Sequence, residues 1–323
     1  MDTDRISHVI EPGAARVVVF GPRFGDKVAA LGEMVEVVSR FKPDVEAFEA
    51  AGQTVLQKPE GHYDLAIVVL PRSKLEARAL IELAVRHATR VVVDGQKTDG
   101  IDSIARDIRK RAPSAQVVSK SHGKSVGFAG GDFADWADPG PLGAIDGFET
   151  RAGVFSADRV DVASAFLLEH LPAQLGPKVA DLGAGWGYLS RGILGRAGVE
   201  VLHLIEADHT ALACARVNID DTRARFHWAD ATKVTLPEPL DTVVMNPPFH
   251  VSRDGDPALG QAFIAAAARL LAPRGEVFLV ANRHLPYEAS LAAHFSENAQ
   301  IAAANGFKIL RAAKPLRRID ARS

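Results

Sequence analysis

Residues 178–188 read KVADLGAGWGY. An apolar run ends in Asp181. Gly183, Gly185 and Gly187 then alternate before a stretch suited to a helix from Tyr188. Glycines at a strand-to-helix turn permit positive φ and let a ligand approach the backbone closely. A turn of this kind belongs to a parallel sheet, in which short, continuous apolar strands are joined by helical crossovers. The spacing is G-x-G-x-G. Tyr188 stands where the third glycine of the dinucleotide fingerprint G-x-G-x-x-G would fall, and the Lys-Ser/Thr of a P-loop is missing.

The acids around this turn narrow the ligand. Asp181, placed before the glycines, would repel a pyrophosphate. It suits a cationic group such as the amino-acid end of S-adenosylmethionine. Glu206 closes the run VLHLIE, 19 residues after Gly187, where an acid at a strand tip binds both hydroxyls of an adenosine ribose. Asp230 follows the next strand in FHWAD, in reach of an adenine amine. Asp181, Gly183, Gly185, Gly187, Glu206 and Asp230 are the expected cofactor residues, with Asn246 beside them.

Residues 240–250 read LDTVVMNPPFH. A buried strand delivers Asn246 to its carboxyl edge, outside which ligands of open α/β sheets bind. Pro247 and Pro248 fix φ twice and remove two backbone donors. Acceptors remain: the Asn246 side-chain oxygen and the Pro247 carbonyl. Phe249 adds a flat apolar face. This set suits a planar NH₂ group, whose lone pair is delocalised. Two hydrogen bonds from its hydrogens draw density onto nitrogen, so orientation and electrostatics carry the catalysis. Asn246, Pro247, Pro248 and Phe249 are the expected catalytic residues. Stacking a base on Phe249 contributes on the order of 1–3 kcal/mol, once the base is unpaired or flipped out.

The chain has 323 residues, which suggests two domains of about 150 each. Strands are expected at 16–20, 65–70, 90–93 and 116–118, and helices at 74–87, capped by Ser73, and 101–110, capped by Asp99. The Gly-, Pro- and Asp-rich stretch 130–150 reads as a linker. Beyond it, strands are expected at 179–182, 201–205, 225–228, 241–245 and 276–281. Helices are expected at 160–171, from 188, at 211–219, 258–271 and 285–295, and a closing hairpin around Asn305-Gly306. The halves also align. RVVVFGPRFGD (16–26) lies on KVADLGAGWGY, with Val19 for Asp181 and Arg23 for Gly185; YDLAIVVLPR (63–72) lies on LDTVVMNPPF, with Val69 for Asn246. The fold class is therefore α/β. Two tandem doubly wound Rossmann-like domains are expected at 1–135 and 145–323, the first decayed and without cofactor.

A composition of 47% hydrophobic and 24% charged residues excludes disorder. No run of apolar residues is long enough to span a membrane and no secretory signal is visible, so a cytoplasmic location with no membrane partner is expected. Cys214 is the only cysteine, and the histidines have no metal spacing, so no metal is expected. A net charge of −2 leaves polyanion binding to local patches. The candidates are the basic residues at 106–124 and those of the last 16 residues, Lys308, Arg311, Lys314, Arg317, Arg318 and Arg322, read as an extended arm after Pro315. His250 is a further candidate for phosphate.

DLGAGWG with NPPF resembles a class I S-adenosylmethionine-dependent N-methyltransferase. GVFSADRVDVASAFLLEHL (153–171), ANRHLPYEASLAAHF (281–295) and NGFKILRA (305–312) make it similar to the bacterial ribosomal RNA guanine-N2 methyltransferases, the family of methyltransferase C of the small ribosomal particle and methyltransferase G of the large one. The resemblance covers 153–314 best and is weaker over 1–130. It implies S-adenosylmethionine as cofactor, guanine in ribosomal RNA or a ribosomal subunit as substrate, and a tandem arrangement; a monomer is expected. Trp186 departs from the small or polar residue common at its position. A glutamine-N5 protein methyltransferase, an adenine-N6 methyltransferase and a non-catalytic ribosome assembly factor remain alternatives.

Overall fold

The computed structural model describes residues 1–10, 13–32, 34–248 and 257–316. The chain divides into two compact units, Met1–Leu142 with Arg151–Gly153, and Gly143–Thr150 with Val154–Ser323. The first holds strands β1 (Arg16–Phe20), β2 (Met34–Val38), β3 (Thr54–Leu56), β4 (Tyr63–Val69), β5 (Ala88–Gln96), β6 (Gln116–Lys120) and β7 (Gly123–Phe128). Its helices are α1 (Thr3–Ser7), α2 (Lys42–Ala50), α3 (Lys74–His87) and α4 (Ile101–Arg111). A hairpin of β8 (Leu142–Ile145) and β9 (Phe148–Thr150) follows. The second unit continues with β10 (Lys178–Leu182), β11 (Val201–Glu206), β12 (Ala224–Trp228), β13 (Leu240–Met245), β14 (Leu271–Asn282), β15 (Phe295–Ala304) and β16 (Phe307–Pro315). Its helices are α5 (Val162–His170), α6 (Tyr188–Leu194), α7 (His209–Asn218), α8 (Pro257–Leu270) and α9 (Tyr287–His294).

The sheet orders are β3-β2-β1-β4-β5-β7-β6 and β12-β11-β10-β13-β14-β16-β15. They are the same topology, parallel through the first five strands with the last two antiparallel. The aligned strands also share register. Val17 pairs with Leu65 in the first sheet where Val179 pairs with Thr242 in the second. The two halves are one α/β fold repeated. Each sheet is buried on both faces: Val18 and Phe20 join one cluster while Val17 and Val19 join the other, and Ala180 and Leu182 oppose Val179. This is why the central strands read as unbroken apolar runs.

Helix α3 is capped, as expected, by Ser73, whose Oγ accepts from the Glu76 N–H at 3.3 Å. Several other elements differ from expectation. Helix α4 is capped not by Asp99 but by Gly100 at φ +86°; Asp99 instead closes the preceding 3₁₀ turn by accepting from the Gln96 N–H. Strands β2, β3 and β7 and helices α1 and α2 were not expected. The stretch 130–150 is not a bare linker. Phe133 and Trp136 are buried in the first core, and the β8–β9 hairpin occupies its end.

The arm expected after Pro315 falls, beyond Leu316, outside the described residues; the basic residues before it are Lys308, Arg311 and Lys314. They lie in β16, which turns back from β15 through Asn305 and Gly306, both at positive φ, the two-residue turn that matches strand twist. Lys308 is buried and paired with Glu288 at 2.6 Å, Arg311 pairs with Glu276 at 2.7 Å, and Lys314 with Glu297. Arg317, Arg318 and Arg322 lie outside the described residues. In the 106–124 set, Arg111, Lys120 and Lys124 are likewise engaged, by Asp135, Asp4 and Asp102.

Candidate active site

The order of the second sheet reverses between β10 and β13, and a ligand crevice is expected outside their carboxyl ends. The glycine turn leaves β10 there. Gly183, Gly185 and Gly187 have φ of +78°, +56° and +95°. The Gly183 and Ala184 N–H groups donate to the Ile205 carbonyl, which fastens the turn to β11. A Cβ on Gly185 would meet nothing, whereas one on Gly187 would come within 2.8 Å of Ile219 Cδ1. We expect Gly185→Ala to cost about 1 kcal/mol from backbone strain. Gly187→Ala should cost about 1 kcal/mol more, because Ile219 must also move. Urea denaturation of both variants checks the order.

Asp181 is fully buried, in register with Val244 and Leu204. Ser190 Oγ donates to its Oδ2 at 2.6 Å, while Oδ1 has no hydrogen-bond partner among the described residues. Burial in this apolar layer, with the Glu206 charge nearby, pushes its carboxyl up to about 7. Glu206 ends β11 and holds the turn: Oε2 accepts from the Gly185 N–H and Oε1 from the Asp208 N–H, both at 2.7 Å. Loss of solvation pushes it to about 7 as well, against those two donors. Each oxygen retains a second lone pair for a hydroxyl donor. Asp230 lies just beyond β12. Its Oδ1 accepts from the Thr232 N–H and Oγ1, and Lys233 Nζ is 3.4 Å from Oδ2.

Asn246 follows β13 directly. Its Nδ2 donates to Asp161 Oδ2 at 2.9 Å and to Ser164 Oγ at 2.8 Å. Its Oδ1 is buried and has no partner among the described residues. Asp161 caps α5, with Oδ2 accepting from the Ser164 N–H at 2.8 Å and from Ser164 Oγ at 3.0 Å. Pro247 is buried and Pro248 exposed. Phe249 and His250 lie outside the described residues. Asp161 and Ser164 were missed in the sequence. Their D-x-x-S spacing before an apolar run marks a helix start, but nothing in it points to Asn246, 82 and 85 residues away.

Trp186, the departure in the glycine turn, is a core residue. It packs with Phe148, Val154, Ala211 and Cys214, and its Nε1 donates to the Phe155 carbonyl at 2.8 Å. Asn218 clamps the same turn by donating to the Trp186 and Glu149 carbonyls. Cys214 is thereby buried, as expected of a core residue. His203 and His227 touch at 2.9 Å, and burial beside a second imidazole lowers His203 to about 4. No group of three or more His, Cys, Asp or Glu able to hold a metal exists among the described residues. No described helix is long and apolar enough to cross a membrane. In the first unit, Val19 is buried at the place of Asp181. Arg23, at the place of Gly185, is tied to Asp44 at 3.0 Å.

The model of the methyltransferase small domain matches residues 147–311, just over half of the chain and nearly all of the second unit. The chain belongs to the methyltransferase small domain family. Among similar proteins, ribosomal RNA small subunit methyltransferase C of Shewanella sp. (strain MR-4) is 29% identical over 76% of each chain. Ribosomal RNA large subunit methyltransferase G of Streptomyces avermitilis is 29% identical over 94% of this chain and 88% of its own. The solved T. thermophilus 16S rRNA N2 G1207 methyltransferase (RsmC), in complex with AdoMet and guanosine, superposes with a TM-score of 0.83. It is 28% identical and covers 96% of this chain and 91% of its own. Both seven-stranded units therefore fall within that likeness.

Proposed function

We propose that this chain transfers a methyl group from S-adenosylmethionine to the exocyclic N2 of a guanine in ribosomal RNA. The observation that carries the reading is the likeness, over both units, to an enzyme solved with AdoMet and guanosine. The second unit supplies a site that fits it. The buried Asp181 Oδ1, without a partner among the described residues, suits the cofactor's amino group, and Glu206 the ribose hydroxyls. Asp230 would accept from the adenine amine, and the open face at Gly185 would admit the ligand. Bound there, S-adenosylmethionine supplies an electrophilic methyl on a sulfonium.

The protein's part is to prepare the nitrogen. Asn246 Oδ1 and the Pro247 carbonyl would accept hydrogen bonds from the two N–H groups of the guanine amine and so direct its lone pair at the methyl; the proton that the methylated nitrogen sheds passes to solvent. Pro248 keeps the turn rigid, and Phe249 supplies the face on which the base stacks. Acceptors held in place before reaction need no reorganisation in the transition state, which is where such sites derive most of their rate. The first unit, which lacks counterparts of Asp181 and Asn246, serves RNA binding or support. The reading places the protein in the cytoplasm as a monomer, with no metal.

Methyl transfer from labelled S-adenosylmethionine to 16S and 23S rRNA, ribosomal subunits and release factors, followed by nucleoside analysis, tests the reading. N2-methylguanosine supports it. Label in N6-methyladenosine or in a release-factor glutamine would replace it with one of the other planar-amine chemistries. Calorimetry should give one S-adenosylmethionine per chain. Two equivalents would assign a working site to the first unit.

A further inference from the structure

Among the described residues, the amide of Asn246 is held by one end only. Its Nδ2 makes two hydrogen bonds, to Asp161 Oδ2 and Ser164 Oγ, while Oδ1 has none among the described residues. An ionised carboxylate is an acceptor only. With the amide turned over, Asn246 Oδ1 would face the Asp161 carboxylate and Nδ2 would point at the substrate amine, donor against donor. Asp161 is itself fixed as the cap of α5, with Ser164 returning two further donors to the same oxygen. We infer that Asp161 and Ser164 are positioning residues for the transfer: they lock Asn246 with its oxygen as the free end, and the Asp161 charge polarises that oxygen. The inference rests on Asn246 serving the substrate amine, as proposed above.

The polarisation follows from amide chemistry. An N–H given to a carboxylate releases density into the amide, and the amide oxygen becomes a stronger acceptor. Chains of hydrogen bonds strengthen one another in this way at low dielectric. The free Oδ1 is then both aimed and sharpened before the base arrives. Both effects act on the rate constant rather than on cofactor affinity, since Asp161 and Ser164 make their contacts with Asn246 and α5.

The test is a reciprocal exchange. Asn246→Asp alone sets two carboxylates against each other at a 2.9 Å contact and should lower kcat by about 10²-fold or more. Asp161→Asn alone keeps a good helix cap but loses the charge, and kcat should fall by about tenfold. In the double variant an amide at 161 donates to a carboxylate at 246. It should recover at least about tenfold over Asn246→Asp, as expected of directly coupled residues. Ser164→Ala should fall less than Asp161→Ala. S-adenosylmethionine Kd should stay within about threefold for Asp161→Asn and Ser164→Ala, because no cofactor contact is touched. In the cofactor-free wild type, the Asn246 side-chain amide protons should show slow solvent exchange by NMR, lost in Asp161→Ala. Equal kcat in wild type, Asp161→Asn and Ser164→Ala, or a double variant no better than Asn246→Asp, would overturn the inference. If the wild type transfers no methyl to rRNA guanine, the functional reading fails instead. The NMR result then still decides whether the amide is locked.

Discussion

Asn246→Ala is expected to lower kcat on ribosomal RNA by about 10²–10³-fold, the usual loss for one preorganised hydrogen-bonding group in a transition state. S-adenosylmethionine Kd should change by only a few-fold. The substitution removes Oδ1, the acceptor proposed for the reacting amine, together with the two bonds to Asp161 and Ser164. The folded state loses little, because an unpaired buried oxygen costs on the order of 1–3 kcal/mol and its removal offsets part of the lost bonding. The rate constant and the specificity constant should fall together, the signature of an interaction made in the transition state. A variant with unchanged Tm and near-normal kcat would contradict this role. Phe249→Ala, by contrast, should act mainly through substrate KM.

The parts of this protein legible in its sequence are those in which chemistry and local structure coincide. A buried acid before alternating glycines, and an asparagine before two prolines, each carry their backbone constraint in the residue types themselves. The tandem fold was legible for the same reason. The strand at 16–20 preserves its apolar run and two turn glycines, Gly21 and Gly25, and that at 63–69 its apolar run and the following Pro71, even where Val19 and Val69 stand in place of Asp181 and Asn246. Strand β7 was not legible, because GKSVGF has a weak strand composition. Its glycines answer a packing demand from elsewhere: a Cβ at Gly127 would meet the Val9 carbonyl oxygen at 2.7 Å, and one at Gly123 the Gly95 carbonyl oxygen at 2.6 Å.

Long-range pairing hid the rest. The C-terminal cations look like an RNA-binding arm when charges are counted along the chain. Glu288 and Glu276 reach Lys308 and Arg311 only after α9 and β14 pack beside β16, and Glu297 reaches Lys314 from β15. The Asp161–Ser164–Asn246 cluster is the same case at the site. Two short motifs, one a helix cap and one a strand terminus, acquire a joint role only when α5 packs on the sheet. Local propensity is written in neighbouring residues, whereas pairing at this separation is written only in the fold.

The pH dependence of cofactor binding should show how Asp181 works. In the free protein its carboxyl is raised to about 7 by burial and by the Glu206 charge, and Glu206 is raised to about 7 by its own loss of solvation. A raised acid binds its proton more tightly folded than unfolded. These two groups therefore favour the folded state fully below about pH 4, and that contribution is lost as pH rises through 7. The cofactor's ammonium reverses the preference, since it needs the carboxylate. Binding should release a proton below pH 7, and Kd should fall about tenfold between pH 6 and pH 8 for one such group. Calorimetry in buffers of different ionisation heat reads both quantities. Asp181→Asn keeps the shape and can still accept from Ser190. It should raise the Tm of the free protein at pH 8 relative to wild type, because no charge is buried. It should also weaken S-adenosylmethionine binding by about 10²-fold, as when one partner of a buried charge pair is removed. Cofactor affinity that is flat from pH 6 to pH 8, or unaltered in Asp181→Asn, would show that the ammonium is held elsewhere.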